Sequence, residues 1–249
     1  MADAVTGKGR SAYELRFALA YGLVALVFGG VIVLFAFLVS KHEESPWSAY
    51  QPKGRGIDQA QAIANHISPR YREGGRTLAA VDAQRPVINS ANVDAFAFAR
   101  SPTSRVGGGI EKIEPAEKSI FYVFCGSGQR CSIPGEPTTK RGLLLRRESL
   151  ELALYTFKYM DDVESVVTIL PAVGNVNTAG YFKRSAVHGL LDKPLFKTLP
   201  ARGPFEAEGL NVPDVKTSER IGAGRFYQSG VQELPTGGAL LILTQPPQR

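Results

Sequence analysis

Cysteine and histidine are scarce in this chain of 249 residues, which holds two of the first and three of the second. That scarcity excludes most metal chemistry. Cys125 and Cys131 are separated by the five residues GSGQR, wider than the zinc spacing of about two to four, and no second Cys or His cluster completes four ligands. Other signatures are missing too. Gly222 and Gly224 begin a G-x-G, but Tyr227 stands where a third glycine would complete a dinucleotide fingerprint. Gly126, Ser127 and Gly128 do not make the G-x-S-x-G of a nucleophile elbow. There is no internal repeat, and no basic run interleaved with aromatics, so nucleic acid is not an expected partner. No cofactor is expected.

Charge is absent from Phe17 to Val39, FALAYGLVALVFGGVIVLFAFLV, 23 residues in all. As a helix rising about 1.5 Å per residue it would measure roughly 35 Å, enough for a hydrocarbon core of about 30 Å with some tilt. A transmembrane helix over 17–40 is therefore expected, with the lipid bilayer as a partner. A cleaved signal peptide is the competing reading. Its apolar region runs to about 7–15 residues before a small-x-small site, whereas this run is longer and leaves through Phe37, Leu38, Val39, Ser40 and Lys41. Within the span Ala18, Gly22, Ala25, Gly29 and Ala36 share one helical stripe. Small residues let backbones approach closely in lipid. The stripe suits packing against the helix of another membrane subunit, or it is the spacing any Ala- and Gly-rich span shows.

The layout is a short cytoplasmic tail (1–16), the span, a juxtamembrane linker (41–56) and an extracytoplasmic domain (57–249). Trp47 and Tyr50 fall where an interfacial aromatic belt is expected. Orientation cannot come from charge. Lys8, Arg10 and Arg16 before the span balance Lys41, Lys53 and Arg55 after it. The cysteines decide instead, since Cys125 and Cys131 read as a disulfide across a hairpin, and disulfides persist outside the cytoplasm. Closing so short a loop stabilises by about 2 kcal/mol. Two reduced core cysteines are the alternative. The formal charge of +6 lies mostly beyond residue 40, which fits contact with anionic lipid or an ordinary solvated surface.

Periodicity then supplies the elements. Asp58 and Gln61 form a capping-box pattern ahead of Ala60, Ile63, Ala64 and Ile67, a helix ended by Pro69. Its His66 reads as a surface or capping group. Thr77–Asp82 and Asn92–Phe98 read as strands, followed at 100–118 by a loop or sub-boundary. Ser119–Phe124 is a strand. Gly142–Met160 is the main soluble helix, with Leu143–Leu145 assignable to a preceding strand. Lys140, Arg141, Arg146 and Arg147 cluster at its start, either to hold an anionic partner or as solvated charge. Val163–Leu170 reads as a buried strand stopped by Pro171. From 173 to 224 only Ser185–Leu191 resembles a helix, and the bulky residues there are expected to be buried on the domain or on another subunit. Phe226–Glu233 and Ala239–Thr244 look like a closing hairpin.

The fold class expected is α+β: one N-terminal transmembrane helix, then an extracytoplasmic domain with a mixed or antiparallel sheet and two to three helices. The function expected is non-catalytic, an accessory, scaffold or assembly subunit of a membrane complex, contacting its partners through the span and the 173–224 segment. The alternative is an anchored ligand-binding or sensory domain, with its pocket between the sheet and the 142–160 helix. An anchored hydrolase, with His188 as base, is the third reading.

Overall fold

The computed structural model describes residues 12–40, 46–100, 109–173, 176–200, 203–206, 209, 212–235 and 237–246. The chain divides into two compact units between Pro46 and Trp47. In the first, helix α1 spans Ala12–Ser40 without interruption. Every large apolar side chain described from Phe17 to Val33 is more than half exposed. Among the described residues no helix is long and apolar enough to cross a membrane. In α1 the side chains described without a break are those of 19–33, short of the roughly 20 residues a crossing takes. Ala18 and residues 34–39 of the expected span, Ala36 among them, lie outside the described side chains. Gly22 and Gly29 face open space, since an added Cβ would meet nothing within 4 Å. The tail before Ala12 and residues 41–45 lie outside the described residues.

The second unit is α+β with mixed sheets. Its large sheet runs in the order β3 (Ala80–Gln84), β7 (Ser119–Cys125), β8 (Ser165–Val173), β9 (Val176–Lys183), β11 (Phe226–Glu233), β12 (Ala239–Thr244) and β5 (Ala91–Ala99), with β4 (Val87–Ile88) and β6 (Ile110–Pro115) paired to β5. The β7–β8 and β12–β5 pairs are parallel and the rest antiparallel. A small sheet joins β1 (Tyr71–Glu73) to β2 (Arg76–Thr77) and β10 (Phe205–Glu206).

The large sheet is rolled. Phe96 on β5 and Phe121 on β7 stand five strand steps apart, roughly 24 Å on a flat sheet at about 4.8 Å per step. Their ring centroids are 6.0 Å apart. Glu114 on β6 likewise reaches β9 across four steps, accepting from the Tyr181 hydroxyl and from Lys183 Nζ at 3.1 Å. The concave side encloses Val93, Phe96, Phe121, Val167, Tyr181 and Leu241. The convex side carries the larger core, against α2 (Gly56–Ile67), α3 (Thr139–Tyr159) and α4 (Arg184–Leu191). Two further helices, α5 (Leu195–Thr198) and α6 (Val212–Gly222), make five α-helices among the described residues of the unit, where two to three were expected.

Several local expectations need correction. α2 begins at Gly56 with Arg55 at the cap position and no side-chain cap bond, so Asp58 lies in its first turn. Gln61 does not complete a capping box. Its amide accepts from Ala83 N at 2.7 Å and donates to Val81 O at 3.2 Å, lying along the free edge of β3 like a missing strand. Trp47 and Tyr50 belong to the core instead of an interfacial belt: Trp47 packs edge-on to Tyr155 at 5.1 Å, and Tyr50 stacks on His66 at 3.7 Å. Leu143–Leu145 are helical because α3 starts at Thr139, capped by the Thr138 hydroxyl on Arg141 N at 3.1 Å. β8 continues through Pro171, and the 100–118 stretch contains β6 of the same sheet, with 101–108 outside the described residues.

The 173–224 segment is the largest departure, because β9 sits at the middle of the sheet. Phe182, Leu195, Leu199 and Phe205 are buried in this unit, leaving Phe196 exposed. At Gly180 a Cβ would come within 3.0 Å of the Phe182 and Phe226 rings, so close packing explains a glycine inside a strand. Replacing Gln61 by Ala should lower stability by about 1 kcal/mol through the unpaired β3 edge. A urea midpoint that shifts at constant slope would show it, and an unchanged midpoint would count against the edge role.

Candidate functional site

The face of α3 turned towards α6 holds the least ordinary chemistry in the molecule. Arg147 is 1% exposed and cannot shed its charge, so its position depends on the acids it meets. Its Nε donates to Asp214 Oδ2 on α6 at 2.6 Å, and Nη1 donates to Glu151 Oε2, one turn along α3, at 3.2 Å. Nη1 also donates to the Tyr71 hydroxyl, which in turn donates to Glu151 Oε2 at 2.6 Å. Arg70 pairs with the other Glu151 oxygen, and the Phe205 ring lies 3.7 Å from the Arg147 guanidinium. Burial pushes the Tyr71 phenol well up, and the Glu151 charge adds to it, so Tyr71 stays a proton donor. The cluster ties α3, α6, β1 and β10 together.

Glu148, beside Arg147, is fully buried, with the Ser68 hydroxyl as its polar neighbour. Burial, helped by the Glu151 charge, holds its carboxyl well above the usual range. The site therefore favours the protonated, neutral acid. Glu114 at the seam of the rolled sheet is the opposite case. Partial burial pushes it upward, but the hydrogen bonds from Lys112, Tyr181 and Lys183 outweigh this and hold it at about 2.

The four basic residues at the start of α3 do not form one patch. Arg141 turns inward, Nε donating to Glu73 Oε1 at 3.0 Å and Nη2 to Pro134 O at 3.0 Å. Arg147 is internal, Lys140 is exposed, and Arg146 reaches over the Phe226 ring, 5.3 Å from its centroid. Cys125 and Cys131 form a disulfide closing the turn after β7. His188 is exposed on α4, and among the described residues no carboxylate bonds to it. Among them, too, no three His, Cys, Asp or Glu side chains could hold a metal.

Beside the ion cluster opens a cleft of about 360 Å³, bounded by α3, α6, the start of β11 and the residues after β12. Asp214 and Ser218 are one turn apart on α6, so the pairing that seats Asp214 also turns Ser218 inward. Ser218 is 7% exposed, lines the cleft, and among the described residues its Oγ has no partner. Arg146, displaced one residue from the buried Arg147, supplies the guanidinium at the opening, and Leu143, Phe226 and Pro246 supply apolar wall. Of these residues only Arg146 was singled out by sequence, and it was placed in a group the fold disperses. The Arg147–Glu151 spacing of four carried a signal for an ion pair, but nothing in sequence distinguishes Ser218 from a solvated helix serine. Set against known protein families, curated proteins and solved structures, the chain matches none.

The Glu148 reading has a definite pH sign. The folded protein holds this proton more tightly than the unfolded chain, whose carboxyl titrates near 4.5. Its contribution is thus complete below that value and is lost as pH rises towards the folded pKa. Glu148→Gln, which mimics the neutral acid, should stay within about 1 kcal/mol of the parent at low pH and flatten the decline in stability as pH rises above 4.5. Parallel pH profiles for the two proteins would contradict it.

Proposed function

We propose that the protein is a membrane-anchored, non-catalytic component of the cell envelope, with the 47–249 unit outside the cytoplasm as an accessory or assembly subunit of a larger complex. One observation carries this reading: α1 is a continuous helix whose uncharged run displays its apolar side chains, while the second unit buries its own. Fully burying one such side chain stabilises by about 1.5–3 kcal/mol. Leaving the run in water would cost on the order of 10 kcal/mol, comparable to the whole stability of a domain. Lipid, or another helix seated on the Gly22, Ala25 and Gly29 side, covers it. The disulfide supports the side of the membrane, because an exposed cytoplasmic cystine would be kept reduced. Among the described residues of the 173–224 segment, Val173, Val176 and Phe196 are the large apolar side chains left exposed for a partner.

The α3–α6 cleft favours a second reading, a ligand-binding domain on the same anchor. It adjoins the side of α3 where a pocket against the sheet is expected.

Both topology and disulfide are open to one test in oriented membrane vesicles. Protease added on the extracytoplasmic side should digest the 47–249 unit, and alkylation before and after reduction should find Cys125 and Cys131 oxidised. A protected unit with two free thiols would reverse the orientation, and release of intact protein by carbonate washing would remove the anchor.

A further inference from the structure

We propose that the cleft between α3 and α6 binds a zwitterionic α-amino acid with an apolar side chain. The cleft holds opposite charges that do not meet. Arg146 and Glu219 both line it, yet among the described residues neither belongs to an ion pair. Arg146 on α3 and Glu219 on α6 are opposite charges lining one cleft, which would ordinarily close on each other or face solvent separately. Here they flank apolar wall from Leu143, Phe226 and Pro246.

Ser218 is the second, independent observation. On α3 the buried hydroxyls satisfy themselves on the preceding turn: Ser149 donates to Leu145 O at 2.8 Å and Thr156 to Leu152 O at 2.8 Å. Ser218 does not. The residue lines the cleft at 7% exposure, and its buried Oγ has no partner among the described residues. A buried hydroxyl left unpaired is costly, and a ligand carboxylate relieves it.

The chemistry then assigns itself. The carboxylate lies against the Arg146 guanidinium and the Ser218 hydroxyl, the ammonium against Glu219, and the side chain against Leu143 and Phe226. The volume of about 360 Å³ is within the range of small-ligand sites. The inference goes beyond the anchored-subunit reading and does not depend on it, because the cleft belongs wholly to the 47–249 unit.

Calorimetric titration of the full chain in lipid nanodiscs, with empty nanodiscs subtracted, tests it using L-phenylalanine, 3-phenylpropanoate and phenethylamine as probes. L-phenylalanine should bind saturably, and each probe lacking one charge should bind about tenfold or more weakly. Arg146→Gln should erase the advantage of L-phenylalanine over phenethylamine. Glu219→Gln should erase its advantage over 3-phenylpropanoate. Both side chains lie at the surface, so the variants are expected to fold, and unchanged thermal unfolding confirms it. Absence of saturable binding, equal affinity for all three probes, or indifference to both substitutions would overturn the proposal. Because the protease and carbonate experiments read only topology and anchorage, failure here leaves that reading standing.

Discussion

A guanidinium that cannot lose its charge sits at the centre of the second unit, and the surrounding structure is arranged to keep it neutralised. Arg147 meets Asp214 from α6, Glu151 from α3 and the Tyr71 hydroxyl from β1. Compared with a well-packed apolar core such a cluster adds little net stability, yet removing one member strands its partners and costs about 3–5 kcal/mol. What it provides is registration. α6 is polar along much of its length and has Pro213 at its second residue, so the Asp214 contact fixes its seat more firmly than hydrophobic matching would.

That seating determines the cleft. Asp214 turned inward places Ser218 one helical turn further along the same side, and Arg146 follows Arg147 around α3 to the opening. The rolled sheet supplies the other wall. Its seam closes through Glu114, Tyr181 and Lys183, and its convex face presents Phe226 beneath Arg146. Cleft and ion cluster are two sides of one helix pair.

Periodic apolar residues made some of this readable in advance. Ala60, Ile63, Ala64 and Ile67 of α2 are all fully buried, and the closing hairpin appears as β11 and β12. The failures share a physical cause: sequence reports side-chain character but not which neighbour satisfies it. Trp47 beside an apolar run suits a headgroup layer and a core lid equally. Arg141 and Arg147 have the same composition signal as Lys140 and Arg146, though two turn inward and two do not. β9 begins with Val-Asn-Thr and contains Gly180, which weaken any strand pattern, and tertiary packing overrides that local weakness. Gln61 was legible as a cap, but the edge of β3 claimed it.

The role of Arg147 in holding α6 is measured most directly by amide hydrogen exchange in the full chain carrying Arg147→Met. The amides of α6 should lose about 100-fold or more of their protection, and a greater share than the amides of β7 and β8. Equal losses in α6 and the sheet, or no loss in α6, would contradict it.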